Sequence, residues 1–165
     1  MAGRSVVVAR TFGVGEVVGS NPTGPTEENI FMSLIVRTQG FADFINITEL
    51  VEREILKNHV LEGLVVLFIK STTAGLLLLE DEEGHLLDLK KTFEKIAPAD
   101  SVYKHNKKWQ DENGDAHIKS AFLKQNLIIP LKEGKLDLGN WQNIFLIDFD
   151  NKPREREIVI KIIPL

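Results

Sequence analysis

The 165-residue chain contains no cysteine. This excludes a disulfide framework, a thiolate nucleophile, an iron–sulfur cluster and Cys-ligated zinc, so any metal must rest on histidine and carboxylates. A strong excess of one charge is also missing: Lys plus Arg number 20 and Asp plus Glu 24, a net of -4. That balance gives no general electrostatic footprint for nucleic acid or an anionic membrane. Long hydrophobic runs are absent too. The longest, Leu64 to Ile69 and Leu76 to Leu79, fall far short of the roughly 18 residues that span a bilayer. The N-terminus lacks the basic start, apolar block and small-residue cleavage site of a secretory signal, and it is too acidic and Arg-poor for a transit peptide. A soluble, cytoplasmic protein is expected. What is present suits one domain: 43% hydrophobic and 27% charged residues, enough to bury a core.

A seam falls near residue 31. Residues 1–31 hold five of the 12 glycines and two of the six prolines, but only five charged residues: Arg4, Arg10, Glu16, Glu27 and Glu28. Gly19 to Thr26 is broken every few positions by turn-forming residues, and no apolar period runs through it. We read 1–31 as an extension outside a domain of residues 32–165. Gly19-Ser20-Asn21-Pro22 can be encoded as GGTTCGAATCC, which resembles the T-arm of a transfer-RNA gene. On that reading translation starts at Met32; the alternative is a genuine disordered extension.

From Met32 the patterns become regular. Ser33–Thr38 and Asp43–Ile47 read as strands. Thr48 is expected to cap a helix with Glu49 and Glu52 in its first turn and Leu50, Val51 and Ile55 on its apolar face. Leu64–Ile69 is continuous rather than alternating, the signature of a strand buried on both faces. Leu86, Leu89, Phe93 and Ile96 mark an amphipathic helix closed by Pro98. Residues 100–114 read as an irregular polar loop, followed by a short helix over Asp115–Lys124 with Ile118, Phe122 and Leu123 inward. The end is β again: Leu127–Leu131, Leu136–Leu138, Ile144–Phe149 and Ile158–Ile163. Period-two alternation in Phe145–Phe149 and Glu157–Ile163 predicts antiparallel strands with one face buried. The fold class is α+β, mainly β, with two or three helices.

Four clusters can carry chemistry. Ser71-Thr72-Thr73-Ala74-Gly75, between two buried runs, offers hydroxyls and backbone N–H groups to an anion, or simply satisfies its own backbone. Glu80 ends the leucine run, either as a partly desolvated base or metal ligand or as a carboxylate facing water. Tyr103-Lys104-His105 and Asn113-Gly114-Asp115-Ala116-His117 bring two imidazoles and a carboxylate to one polar region, a set of three ligands or a solvated loop. Trp141-Gln142 precedes a strand, where the indole serves as a stacking surface or as core.

In chain order, Ser71-Thr72-Thr73-Ala74-Gly75, Glu80, Tyr103-x-His105, Trp109, Asn113-Gly114-x-Ala116-His117, Pro130, Gly134-x-Leu136-x-Leu138-Gly139-x-Trp141-Gln142-x-Ile144 and Pro153-Arg154-x-Arg156 resemble the YjbQ-like family over essentially the whole domain. The resemblance implies a β-sandwich-like mixed sheet, a homotrimer and a polar pocket lined by the histidine motifs. It also implies a weak thiamine-phosphate synthase activity, joining a hydroxymethylpyrimidine pyrophosphate to a thiazole phosphate. On that reading His105, Asp115 and His117 hold a divalent ion, zinc or magnesium. Ser71, Thr72, Thr73 and Arg154 hold phosphate oxygens, and Asn113, Trp141 and Gln142 complete the ligand site. Glu80, His105 and His117 move protons. The chain departs from the family pattern in four places: Asp115 stands where members usually have His, Ser71 where many have His although one branch has Ser, Lys124-Gln125-Asn126 replaces Gly-Pro-Ser, and Asn140 replaces Thr. A non-catalytic trimeric metal- or ligand-binding protein with a diverged pocket is the alternative reading.

Intact-mass analysis of the native protein tests the start site. A chain beginning at Met32 is expected; one beginning at Met1 or Ala2 overturns the reading.

Overall fold

The computed structural model describes residues 8–11 and 30–165. In chain order the elements are β1 (Val8–Thr11), β2 (Ile30–Thr38), β3 (Asp43–Asn46), α1 (Thr48–Leu56), β4 (Gly63–Ile69), β5 (Ala74–Leu79), α2 (Glu83–Ile96), α3 (Lys104–Trp109), α4 (Gly114–Ser120), β6 (Asn126–Lys132), β7 (Lys135–Leu136), β8 (Asn143–Asp148) and β9 (Arg154–Pro164). They form two sheets, one ordered β1-β2-β9-β4-β6-β7 and the other β3-β8-β5. Every strand pairing among the described residues is antiparallel. The expected α+β sandwich is therefore present, its sheets antiparallel rather than mixed.

Alternation along the strands builds the core between the sheets. Met32, Leu34 and Val36 of β2, Val65, Leu67 and Ile69 of β4, and Ile158, Ile160 and Ile162 of β9 project from the large sheet. They meet Ala74 and Leu76 of β5, Ile144 and Leu146 of β8, and Val51 and Ile55 of α1. A second apolar layer covers the outer side of the small sheet. There Phe145, Ile147 and Phe149 pack with Phe93 of α2, Ala116 of α4 and Leu123. The layers are large sheet, small sheet and helices, with the small sheet in the middle.

This layering reverses two expectations. β8, expected to bury one face, is buried along Ile144–Asp148 on both, because it is the central strand of the middle layer. β4, expected to bury both faces, buries only the Val65, Leu67 and Ile69 side. On the outer side of the large sheet Phe68 is 44% exposed, beside Ile128 at 59% and Phe31 at 52%.

Local departures from expectation have similar causes. Thr48 does not cap α1; its hydroxyl donates to Asn46 Oδ1 at 2.7 Å and accepts the Ile144 amide at 2.8 Å, tying the helix start to β8. Ile96 is exposed at the end of α2. α4 ends at Ser120, short of the predicted Lys124; Ile118 on it and Phe122 just beyond it are exposed and its buried side is Asp115, Ala116, Lys119 and Ser120, so only Leu123 of the predicted trio is inside. The polar stretch 100–114 contains α3, six residues and too short for a period to show. Tyr103 anchors its start by donating from Oη to Pro98 O at 2.7 Å. The turn between β6 and β7 is sharp because Glu133 and Gly134 both have positive φ, 51° and 74°, as a two-residue type I′ hairpin loop requires. Within the segment set apart by sequence, β1 pairs with β2, a strand where no regular structure was expected. Residues 1–7 and 12–29 lie outside the described residues.

Phe145→Ala is expected to cost about 3–5 kcal/mol and Phe122→Ala less than about 0.5 kcal/mol. Chemical denaturation of the two variants checks the placement; equal losses would contradict it.

Candidate functional site

At one end of the sandwich the chain passes three times between the sheets: from β2 to β3, from β4 to β5 and from β8 to β9. The inward phase of each strand continues there, but the residue type changes. Thr38 follows Leu34 and Val36 in phase, Asp148 follows Ile144 and Leu146, and Arg154 and Arg156 precede Ile158 and Ile160. The core thus ends in a layer of polar and charged groups.

Those groups bond one another. Arg156 donates from Nε and Nη2 to Asp148 Oδ2 and Oδ1 at 2.6 and 2.7 Å, a bidentate pair of the strong kind. Thr38 Oγ1 donates to Asp148 Oδ2 at 2.6 Å and the Asp150 amide to Oδ1 at 2.9 Å. Asp150 Oδ2 accepts from Thr73 Oγ1 at 3.0 Å, Arg154 Nε at 2.9 Å and Arg156 Nη2 at 3.3 Å. Asn151 N occupies Asp150 Oδ1. Burial pushes the Asp150 carboxyl up, but the Arg154 and Thr73 hydrogen bonds and the Arg154 charge outweigh it and hold it below the ordinary range. Gly40 closes the corner: its φ is +75°, and a Cβ there would sit 2.4 Å from the Asp150 carbonyl oxygen, so the close approach demands glycine.

Above this network lies a cavity of about 500 Å³ lined by Phe68, Lys70 to Thr73, Asn113, His117, Gln125, Arg154 and Arg156, among others. Five of the residues singled out by sequence as ligand-binding meet here: Ser71, Thr72, Thr73, Asn113 and Arg154. Two hydroxyls are already engaged. Ser71 Oγ accepts from the Thr73 and Ala74 amides at 3.2 and 3.1 Å, so part of the loop satisfies its own backbone. Thr73 Oγ1 accepts from Arg156 Nη2 at 2.8 Å. Thr72 is exposed at the surface. Lys70 reaches Glu157 Oε2 at 3.0 Å.

His105 and His117 do come together, ring centroids 4.4 Å apart and tilted by 50°. Asp111, which sequence reading missed, lies with Oδ1 3.4 Å from His105 Nε2. With its amide nitrogen turned toward that carboxylate, Asn113 donates to both Asp111 oxygens at 3.1 and 3.2 Å.

Four expected site residues are elsewhere. Asp115 is two positions from His117 on α4, about 200° around the helix, and faces a separate cavity of about 350 Å³ that also involves Phe41, Glu94, Lys119 and Phe149. There Lys119 donates to Asp115 Oδ2 at 2.9 Å and Glu94 Oε2 at 2.8 Å. Burial pulls the Lys119 ammonium down, but these two carboxylates hold it above its ordinary value. Glu80 is exposed just past β5, six strand residues from Thr73, or roughly 20 Å. Trp141, 73% exposed, and Gln142 precede β8 at that same far end. Gln142 Oε1 accepts the Gly139 amide at 2.9 Å, so its role is to close its own loop. Among the described residues no three His, Asp or Glu side chains converge to hold a metal ion. The donor set therefore does not fit the divalent ion implied by the resemblance. The missed residues Asp148, Asp150 and Arg156 had a signal: polar side chains in phase with the apolar alternation at strand ends.

The fold and pocket define a small α+β sandwich with a charged cavity at the crossing end. The chain belongs to the YjbQ-like UPF0047 protein family, whose model matches residues 32–165. A UPF0047 protein of Archaeoglobus fulgidus is 37% identical over 130 residues, 79% of this chain and 98% of that protein. One from Methanothermobacter thermautotrophicus is 30% identical over 129 residues, 78% of this chain and 88% of that protein. A YbjQ-like protein of unknown function from Sulfolobus solfataricus has a similar crystal structure, with a TM-score of 0.78, 30% identity, and coverage of 84% of this chain and 99% of that one.

Arg156→Leu leaves two buried carboxylates short of their counter-charge and is expected to cost about 3–5 kcal/mol, read from denaturant midpoints. Acid sensitivity checks Asp150. Its carboxyl is lowered by folding, so its stabilisation is complete at neutral pH and is lost as the pH falls from about 3.9 through the lower folded value. Asp150→Asn should flatten that acid limb of the stability–pH curve.

Proposed function

We propose that the chain binds a phosphorylated small molecule in the cavity between the Lys70–Thr73 loop and Arg154, and that it acts there as a group-transfer enzyme. The observation that carries the reading is the layering of charge. The Lys70 and Arg154 side chains are 57% and 37% exposed, whereas Asp148 and Asp150 are covered by the guanidinium groups. An approaching ligand meets cations first. Its phosphate oxygens would be held by the terminal nitrogens of Arg154, by Lys70 and by Thr72. His117 lines the same cavity with His105 behind it, and an imidazole beside a phosphate ester can supply or accept a proton.

The reaction implied by the family resemblance, thiamine-phosphate formation with pyrophosphate as leaving group, uses two phosphorylated substrates, and the cavity volume falls within the usual range for small-molecule sites. Glu80, Trp141 and Gln142 take no part within one copy of the chain. The proposal includes the homotrimer: Phe31, Phe68 and Ile128 leave an apolar outer face on the large sheet that further copies would cover. It also includes a cytoplasmic location; no helix among the described residues is long and apolar enough to cross a membrane. A second reading, a binding protein without turnover, is favoured by the displacement of Glu80 and Asp115 from the cavity.

Thermal shift with pyrophosphate and a panel of phosphorylated metabolites tests binding. Stabilisation that Arg154→Ala weakens roughly tenfold or more in apparent affinity is expected, and no stabilisation by any of them overturns the reading. Phosphorus NMR of the same mixtures separates the two versions: released pyrophosphate that disappears in His117→Ala supports the enzyme, and bound but unchanged ligands support the binding protein.

A further inference from the structure

The carboxylates nearest the cavity raise a question of charge. A zinc or magnesium site needs several donor groups with free lone pairs converging within about 2.0–2.2 Å of one point. Here Asp148 and Asp150 each have both oxygens occupied, Asp148 by Arg156, Thr38 and the Asp150 amide, Asp150 by Arg154, Arg156, Thr73 and the Asn151 amide. Asp115, the carboxylate expected as a ligand, is bonded to Lys119 on the opposite side of α4. Ser71 Oγ already accepts two backbone amides. Asp111 lies with Oδ1 3.4 Å from His105 Nε2, and among the described residues no third His, Asp or Glu joins them in a metal-holding group. Among the described residues, one buried side-chain atom lacks a hydrogen-bond partner, Gln125 Oε1 at the cavity, and a lone neutral oxygen is a poor donor set for either ion. A dication entering the cavity would also face Lys70, Arg154 and Arg156, while Asp150, the one carboxylate in the lining, is already bonded to both arginines, and like charges repel.

Resting on the anion-binding reading above, we propose that this pocket recognises its phosphate without a divalent ion, the positive charge coming from Arg154, Lys70 and Arg156. The guanidinium groups do what a metal does elsewhere: they concentrate positive charge at fixed positions and offer directional donors to phosphate oxygens. The two buried aspartates hold those groups in place beforehand, so ligand binding requires little reordering. In this arrangement Asp115 serves a buried ion pair, and the two imidazoles are left to proton transfer.

The test uses the full chain, dialysed against EDTA, with pyrophosphate as probe and affinity read by calorimetry. Binding in EDTA within about twofold of that measured with added zinc or magnesium is expected, with Arg154→Ala weakening both about equally, by roughly tenfold or more. Binding that appears only with added metal overturns this inference and leaves the anion site standing. No binding under either condition overturns the anion site itself, and this inference with it.

Discussion

The bidentate pair between Arg156 and Asp148 is the interaction on which this end of the protein depends. Asp148 closes the central strand of the small sheet, Arg156 opens a central strand of the large one, and their two hydrogen bonds of 2.6 and 2.7 Å fasten the sheets together. Such a pair contributes little net stability, because desolvating two charges offsets most of their attraction. Its importance lies in the cost of leaving it incomplete. A carboxylate with none of its surface exposed cannot be left alone, so Thr38, the Asp150 amide and Arg156 must all arrive together. That requirement fixes the relative position of the β2–β3 and β8–β9 crossings, and Thr73, bonded to Arg156 and Asp150, ties in the third.

The same pairing of buried charges leaves guanidinium atoms, and not the Asp148 and Asp150 carboxylates, at the cavity surface. Each carboxylate beneath it is consumed by a hydrogen-bonded partner, while Lys70 and Arg154 retain exposed atoms. On the other side of α4 the polarity is inverted. Lys119 is the buried charge, and Glu94 and Asp115 surround it. Three residues of one short helix therefore serve two environments: His117 faces the cavity at the crossing end, Asp115 and Lys119 the other. A helix has no choice in this, since positions two apart diverge and positions four apart align.

Much of the architecture is legible in the sequence. The strands near Ser33, Leu64, Leu127, Ile144 and Ile158, the helix over Leu86 to Phe93 and the turn at Glu133-Gly134 follow from local pattern, and the family motifs point to the sandwich. The loop at Ser71–Thr73 stands out because it sets hydroxyls between two apolar runs, Asn113 and His117 because they fall in one polar cluster, and Arg154 through the family resemblance. Glu80 and Trp141 join them on chemistry alone, and nothing in one dimension shows that β5 carries Glu80 away from Thr73. Asp148 and Asp150 escape notice because they sit inside apparently structural strands and turns, and Arg156 is marked only as part of a family motif, without a role.

The sequence by itself determined the alternation of each strand, the single cysteine-free domain and the set of reactive groups to be placed. Which faces are buried was decided by the tertiary structure. Leu64–Ile69 reads as the most buried strand and Ile144–Phe149 as half-buried, yet the layers reverse them, since burial depends on what lies above each face and not on how apolar the strand is. Likewise His117 and Asp115 are near neighbours in the chain and separate in function. Only the packing of α4 between two cavities sets one in the cavity at the crossing end and the other against a buried lysine.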